Sequence, residues 1–345
     1  MHIAIVAAYW HYPEVAYEFP QHLVKQGHNI NAILWNQKAH NIARHAVTNG
    51  FTIYKLPGIN FFALFNSSQK YPYIFGLRRV IAQLRPELID CQSHLFLTTI
   101  QAVKAAKELG IPSVVTVHGV TARRNLVTNM AQHIYLFSLG SWVFKEATLV
   151  RCLTKGDAQE IASYGCPPEK IRIIPNGVDT ELFRPKNGQE ENLVVWVGRF
   201  VQEKGLQYLI EAAKIVVSYR KDVKFMLIGD GPLMQEIRSM VDRYSLSNNI
   251  IFTGVVAHNQ LTKTLQKATL FVIPSLKEGM PNTLLESLAC GKPVIGSDIS
   301  GINDIVTHGQ NGLLVPPRNP EALANAILKL LDSKNLRRRL GQSAR

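Results

Sequence analysis

The chain has 345 residues, 46% of them apolar and 18% charged, with 40 Gly and Pro together and a net charge of 38 − 25 = +13. At roughly 150 residues per domain the length suggests two domains; the composition excludes a disordered chain, and no apolar run reaches the ~18 residues of a membrane span. The opening Met1-His2-Ile3-Ala4-Ile5-Val6 reads as a strand rather than a leader, and Cys91, Cys152, Cys166 and Cys290 lack the paired spacing of a disulfide scaffold or zinc ribbon, which fits the reducing cytoplasm.

Short β-rich runs alternate with helical segments, the pattern of an α/β fold with mostly parallel sheets. In the first half strands are expected at 2–8, 29–34, 51–56, 88–91, 113–117, 149–153 and 171–174, with helices near 18–26, 73–84, 98–109, 130–147 and 155–164. Thr154 followed by Asp157 reads as a capping box opening the last helix. Residues 134–144 are apolar but too short to span a bilayer, and read as a buried helix covering the sheet.

The polar stretch 184–192 breaks both periodicities and marks a hinge, dividing the chain into 1–183 and 184–345. Beyond it the alternation restarts, with strands at 193–197, 223–228, 250–252, 270–273, 293–297 and 312–315. Helices are expected near 205–218, 232–244, 259–267, 281–289, 301–307 and 320–331. Two sheet domains on one linker create a cleft between them, where substrate sites tend to lie.

The charge is uneven. No Asp or Glu occurs from Phe19 to Pro86 or from Leu109 to Lys145, and residues 19–145 carry thirteen Lys or Arg against Glu87, Asp90 and Glu108, a net of 13 − 3 = +10. A basic region of this length points to an anionic partner (nucleic acid, membrane surface or phosphorylated substrate) or to a solubilising surface. It matches no nucleic-acid recognition motif, which disfavours the first of these.

Several catalytic motifs fail. Gly229-Asp230-Gly231 lacks the third glycine of a dinucleotide loop, Gly291-Lys292 runs into Pro293, and no H-E-x-x-H, G-x-S-x-G or metal-chelating D-x-D occurs. What remains is in the second half. The strand at 193–197 ends in Gly198 and Arg199, with Lys204 five residues on; past a strand's C-terminus such cations face the ligand crevice of an open sheet and would neutralise a diphosphate, unless they are simply solvated loop charges. The strand at 270–273 leads into Pro274-Ser275-Leu276-Lys277-Glu278-Gly279-Met280-Pro281-Asn282-Thr283-Leu284-Leu285-Glu286. Pro281 suits the first helical position, Gly279 permits close backbone approach, and the N–H groups of Asn282, Thr283 and Leu284 are expected to form an anion site. Glu278 precedes that site, and Glu286 interrupts an apolar run, which argues against a purely solvated role.

These residues bring the chain to a resemblance. Ile174-Pro175-Asn176-Gly177-Val178-Asp179, Gly198-Arg199-Phe200 through Lys204-Gly205, Gly229-Asp230-Gly231-Pro232, Glu278 to Glu286, and Asn311-Gly312-Leu313-Leu314-Val315 resemble, in order and spacing, the retaining glycosyltransferases of GT-B fold, the glycosyl transferases group 1 family. The resemblance implies an α/β GT-B architecture, two Rossmann-like doubly wound domains facing a cleft. It implies a cytoplasmic, metal-independent glycosyltransferase, in all expectation a hexosyltransferase of polysaccharide or glycolipid biosynthesis. Such an enzyme takes no cofactor; a nucleotide-diphosphate sugar, UDP- favoured over GDP-, is a substrate, and the acceptor is a glycan or lipid-linked. By this resemblance Arg199 and Lys204 hold the donor phosphates, Glu286 the ribose hydroxyls, Gly279, Met280, Pro281, Asn282, Thr283 and Leu284 cradle sugar or phosphate, and Glu278 contacts the donor sugar at the reacting centre. His118, at the end of Val115-Thr116-Val117-His118-Gly119, resembles the family's histidine bordering that sugar.

Two departures stand out. The family's Gly-Gly pair in the first loop is replaced by Tyr9-Trp10-His11-Tyr12-Pro13-Glu14, where Trp10 and Tyr12 suggest an aromatic wall for a sugar or lipid. The sequence ends at Gly341-Gln342-Ser343-Ala344-Arg345, and the family's usual last helix is expected to be missing or shortened. Arg78, Arg79, Arg123 and Arg124, with aromatics at 61–65 and 71–75, are candidates for docking on the inner face of the plasma membrane or on a phosphorylated lipid carrier; a soluble acceptor is the other reading. Front-face attack and a double displacement through Glu278 both remain open. The competing class is a non-catalytic GT-B module that binds nucleotide or anionic polymer.

Overall fold

The computed structural model describes residues 1–8, 13–36, 41–60, 71–120, 126–186 and 192–345, with the backbone alone at 13–18 and 126–128. The chain divides into two compact units, Met1–Pro175 and Asn176–Arg345. The division precedes the polar stretch that suggested a boundary at 183/184. Phe183 explains the difference: it is 1% exposed and packs in the second unit's core with Val178.

The first unit runs β1 (His2–Ala7), α1 (Pro13–Lys25), β2 (Asn29–Trp35), β3 (Ala43–Thr48), β4 (Phe51–Leu56), β5 (Gly58–Asn60), β6 (Pro72–Ile74), α2 (Leu77–Leu84), β7 (Leu88–Gln92), α3 (Leu97–Leu109), β8 (Ser113–Val117), α4 (Leu126–Tyr135), a π-helical turn (Leu136–Gly140), α5 (Ser141–Glu146), β9 (Leu149–Cys152), α6 (Lys155–Ser163) and β10 (Ile171–Ile173). Its main sheet has the order β10-β9-β8-β7-β1-β2-β4-β3, parallel except for the β3–β4 pair. Sheets of this kind are covered on both faces, so β1 and β2 read as nearly continuous apolar runs. The chain leaves β1 toward β2 and returns on its other side at β7, which makes β1/β7 the point where strand order reverses.

Four expectations change here. The edge strand β3 went unread because its residues are almost all exposed and carry no alternation. Residues expected to start a helix at 73 instead form β6, which pairs with β5. α1 begins at Pro13, ahead of the expected 18. The stretch 134–144 is only half buried. Leu136, Val143 and Phe144 are in the core, whereas Ile134 and Phe137 are 65% and 66% exposed. The π-helical turn, with its i→i+5 bonds, shifts the helical phase there, so one apolar stripe cannot face the sheet throughout.

The second unit runs β11 (Leu193–Val197), α7 (Leu206–Tyr219), β12 (Lys224–Ile228), α8 (Met234–Arg243), β13 (Ile250–Gly254), α9 (His258–Lys267), β14 (Leu270–Ile273), α10 (Asn282–Ala289), β15 (Val294–Ser297), β16 (Gly312–Val315), α11 (Pro320–Asp332) and α12 (Lys334–Ala344). All neighbours in β13-β12-β11-β14-β15-β16 are parallel. Strand order reverses at β11/β14, so the loops after those strands border this unit's crevice. The helix expected at 301–307 is a series of turns. The last described helix, α12, runs through residue 344 and packs within the second unit. Its Gly341 packs so closely on the Gly291 carbonyl that an added Cβ would lie 2.2 Å away.

Candidate functional site

The strongest cluster lies at the β11/β14 switch point. After β11 the chain passes Gly198 and Arg199 into a short 3₁₀ turn, Gln202–Lys204, closed by Gly205. Gly205 has φ +63°, and a Cβ there would sit 2.0 Å from the Pro274 carbonyl oxygen. Only glycine meets both demands, so this residue seats the β11 loop directly on the β14 loop. The Leu276 N–H donates to the Glu203 carbonyl at 2.8 Å and completes the seat.

This docking brings Lys204 and Glu278 together. The ammonium donates to both Glu278 oxygens at 2.7 and 2.9 Å, and Ser275 Oγ donates to Oε1 at 2.6 Å. The Glu278 side chain is 7% exposed and that of Lys204 24%. In this low-dielectric setting the carboxylate needs those donors. Arg199 is exposed. The structure therefore places the two expected cations differently: Arg199 is open to solvent, whereas Lys204 is already engaged.

The segment after Glu278 leads into α10. Pro281 is the residue before the helix rather than its first, and its carbonyl accepts the Leu284 N–H at 3.1 Å. Leu284 also buries its side chain in the core. Its amide is thus occupied, which narrows the expected cradle to the amides ahead of it. Asn176 braces this entry: its N–H meets Met280 Sδ at 3.1 Å, and its Nδ2 donates to Asn282 Oδ1 at 3.0 Å. Thr283 is half-buried on the first turn. Gly279 is held from behind by Gly301, whose φ is +88° and where a Cβ would lie 2.2 Å from the Gly279 carbonyl.

Glu286 is 6% exposed on α10. One oxygen, Oε1, lies 3.1 Å from His258 Nε2 at the start of α9. The other, Oε2, is buried without a hydrogen-bond partner among the described residues. An orphaned buried carboxylate oxygen is costly, and a ligand hydroxyl would satisfy it. His258 was missed by sequence reasoning; a lone histidine opening a helix gives no signal until the fold carries it to Glu286.

In the first unit the C-terminal ends of β7, β8 and β9 gather a second polar group. His118, just past β8, is exposed, and its Nε2 lies 3.0 Å from Gln92 Oε1. Gln92 Nε2 in turn donates to Asp90 Oδ2 at 2.6 Å. Protein packed around the rest of the imidazole, and then the positive Arg151, hold His118 well below the ordinary imidazole pKa. Burial raises Asp90 to about 6 despite the Gln92 hydrogen bond and Arg151. Neither Asp90 nor Gln92 was singled out from sequence.

Of the acceptor-side residues, Arg78 pairs with Glu108 at 2.5 Å and Arg79 is exposed. Tyr73 and Phe75, 43% and 45% exposed, meet edge to face at 5.9 Å. Trp10, Tyr12, Arg123, Arg124 and the aromatics at 61–65 lie outside the described residues. No described helix is long and apolar enough to cross a membrane.

The family model for glycosyl transferases group 1 matches residues 178–345, and that for glycosyltransferase family 4 matches 14–182. The chain is 31% identical over 274 residues to UDP-Gal:alpha-D-GlcNAc-diphosphoundecaprenol alpha-1,3-galactosyltransferase of Escherichia coli, covering 73% of this chain and 69% of that protein. It is 32% identical over 238 residues to a glycosyltransferase of Methanocaldococcus jannaschii, covering 69% of this chain but only 64% of that relative's length. Among solved structures, sucrose-phosphate synthase from Thermosynechococcus elongatus matches with a TM-score of 0.80 at 20% identity, over 100% of this chain and 93% of that one. That likeness shows the GT-B fold, in which each of two Rossmann-like units carries its own open sheet. The chain belongs to the glycosyltransferase family that the group 1 and family 4 models describe.

Proposed function

We propose that the chain is a retaining, metal-independent hexosyltransferase that moves a sugar from a nucleoside diphosphate donor, UDP- favoured over GDP-, to a glycan or lipid-linked acceptor. The observation that carries this reading is the β11/β14 switch point. There Lys204 is paired with Glu278 ahead of the entry to α10, exposed Arg199 lies on the same loop as Lys204, and the orphaned Glu286 oxygen is one turn into the helix. The UDP-sugar and the lipid-linked acceptor in the name of the Escherichia coli relative support the choice of donor and acceptor class.

The chemistry follows from charge. Departure of a nucleoside diphosphate develops negative charge on the phosphates, which Arg199, Lys204 and the backbone amides entering α10 would stabilise. An arriving diphosphate competes with Glu278 for Lys204. Glu278 accepts from both the ammonium and Ser275, and such a carboxylate is a poor nucleophile. This favours front-face attack, with the donor phosphate as base, over a covalent intermediate on Glu278. On the first unit, Arg79, Tyr73 and Phe75, together with exposed Ile134 and Phe137 in the acid-free stretch, would dock the enzyme on an anionic surface.

The test is thermal-shift binding with UDP-, GDP- and ADP-sugars, followed by acceptor-free hydrolysis of the sugar that binds, with and without EDTA. Hydrolysis that survives chelation and releases the retained anomer is the expected result. Binding without any hydrolysis or transfer would favour a non-catalytic module, and activity lost to EDTA and restored by Mg²⁺ or Mn²⁺ would overturn metal independence. Azide added to Glu278→Ala should not restore turnover as an inverted glycosyl azide; its appearance would establish the covalent route.

A further inference from the structure

The polar group of the first unit is organised by sheet register. Gln92 on β7 pairs with Thr116 on β8, and Thr116 with Arg151 on β9, so the three stand in one row across the strands. Side chains two residues apart share a face, so Asp90 stands behind Gln92, and His118 extends the line of Thr116 just past the strand end.

The hydrogen bonds along this row have a direction. An ionised Asp90 can only accept, so Gln92 must turn its amide nitrogen toward it. The Gln92 oxygen then faces His118 and can only accept, so His118 Nε2 must carry the hydrogen. That leaves Nδ1 with the lone pair. The backbone around the ring is fixed as well. Ser93, at φ +83° in the left-handed region, donates its N–H to the Thr116 carbonyl at 3.0 Å. His94, fully buried, donates from Nε2 to the Val120 carbonyl at 3.1 Å, and Tyr135 holds the His94 carbonyl at 2.7 Å. The loop after β7 therefore grips the chain on both sides of His118. A non-glycine residue at positive φ persists only where its surroundings over-determine it.

We propose that Gln92 and Asp90 are positioning residues that lock His118 as the neutral Nε2–H tautomer, so that Nδ1 is presented as a hydrogen-bond acceptor to a hydroxyl of the transferred sugar. The proposal rests on the glycosyl-transfer reading of His118 given above. Arg151 adds to it: its guanidinium is tied to the Ile174 and Pro175 carbonyls at 2.9 Å each and disfavours a second positive charge on the ring. The titratable and charged groups around the imidazole are thus Asp90 on β7, His94 on the loop after it, and Arg151 on β9. An imidazolium would donate from both nitrogens and lose the acceptor.

The test is nitrogen-15 spectroscopy of histidine-labelled full-length protein near pH 7.5, alongside donor kinetics. In the wild type His118 should show a protonated Nε2 and an unprotonated Nδ1. Gln92→Leu, and the near-isosteric Asp90→Asn that frees the carboxamide to flip, should each give an averaged mixture of tautomers. Both should lower kcat about tenfold while donor KM stays within about twofold, the loss of one hydrogen bond made in the transition state. Gln92→Glu should raise the His118 pKa by about one unit, as an adjacent carboxylate does. A wild-type Nδ1–H tautomer, or an unchanged tautomer pattern in both Gln92→Leu and Asp90→Asn, would overturn the proposal whatever the activity. His118→Ala with wild-type turnover, the tautomer result standing, would instead overturn the role given to His118 in sugar transfer.

Discussion

Both units place polar residues past strand ends near the reversal of their sheets, but they furnish those places differently. In the second unit opposite charges meet directly: Lys204 sits on Glu278 within hydrogen-bonding distance, and exposed Arg199 adds a further cation. In the first unit a neutral carboxamide separates carboxylate from imidazole, through Asp90, Gln92 and His118. The difference is instructive. A direct ion pair specifies charge but little orientation, and an incoming anion can take its cation. A hydrogen-bonded relay specifies donor and acceptor at each atom and resists exchange. On the proposed reading, the second unit would meet a charged ligand and the first would hold an uncharged group in one orientation.

Removing the cations of the second unit should have the largest effect. Arg199→Ala and Lys204→Ala should each lower donor turnover ~10²-fold or more, the loss of a charged donor to a developing phosphate charge. Their stabilities should part company. Arg199 is exposed, so its loss should leave the melting temperature unchanged. Lys204→Ala strands the Glu278 carboxylate, whose side chain is 7% exposed, and should cost about 1–3 kcal/mol. Adding Glu278→Gln to that variant should recover the stability without the turnover. If both single variants turn over donor like the wild type, the phosphate clamp is elsewhere.

The same contrast governs what could be read from sequence. The second unit's site depends on backbone approaches that only glycine allows, as at Gly205, and on a loop joining one strand to the next helix. Both leave marks at fixed spacing, so Arg199, Lys204, Glu278 and Glu286 were legible. The first unit's network is made of ordinary residues from three strands, and Gln92, His118 and Arg151 become neighbours only through sheet register. His258 is the same case within the second unit, since α9 and α10 adjoin only after folding. Likewise the buried Leu284 amide was misjudged, because a sequence does not show that Pro281 precedes the helix and takes its first hydrogen bond.

A second, smaller effect separates the units by pH. His94 is buried as a neutral imidazole, with its pKa lowered to about 4 chiefly by desolvation. The unfolded imidazole takes a proton near 6.5, so stability from this group is complete above that pH and is lost as pH falls toward 4. Asp90 has the opposite sign. Its folded pKa of about 6 lies above the unfolded value near 3.9, so acidification from 6 to 4 relieves a destabilisation. The protection of β7 and β8 amides, taken relative to their intrinsic base-catalysed exchange rates, should therefore fall modestly between pH 7 and pH 4.5, because the His94 loss slightly outweighs the Asp90 gain. His94→Gln should flatten that slope, and Asp90→Asn should steepen it. Equal slopes in all three proteins would remove both groups from the stability of this unit.

A last pair of substitutions tests whether the first unit also meets a membrane, and by which force. Phe137 is 66% exposed and rests one edge on Tyr164 at 4.9 Å, so most of its ring is free to enter an interface. Burying a phenylalanine side chain is worth about 1.5–3 kcal/mol, and Phe137→Ser should weaken vesicle binding accordingly at any salt concentration. Arg79 acts through charge alone. One cation near an anionic surface contributes about 1 kcal/mol, so Arg79→Ala should weaken sedimentation with phosphatidylserine vesicles about fivefold at low salt. At 1 M salt the Debye length shrinks from about 8 Å to about 3 Å, and that difference should vanish. Arg78 provides the internal control. Its guanidinium already faces Glu108 at 2.5 Å, so Arg78→Ala together with Glu108→Ala removes a neutral pair and should leave vesicle binding unchanged. Equal, negligible sedimentation of the wild type with neutral and anionic vesicles at low salt would reject the membrane and leave a soluble acceptor. Donor hydrolysis in the absence of vesicles reads turnover without the membrane, so docking and turnover can be tested independently.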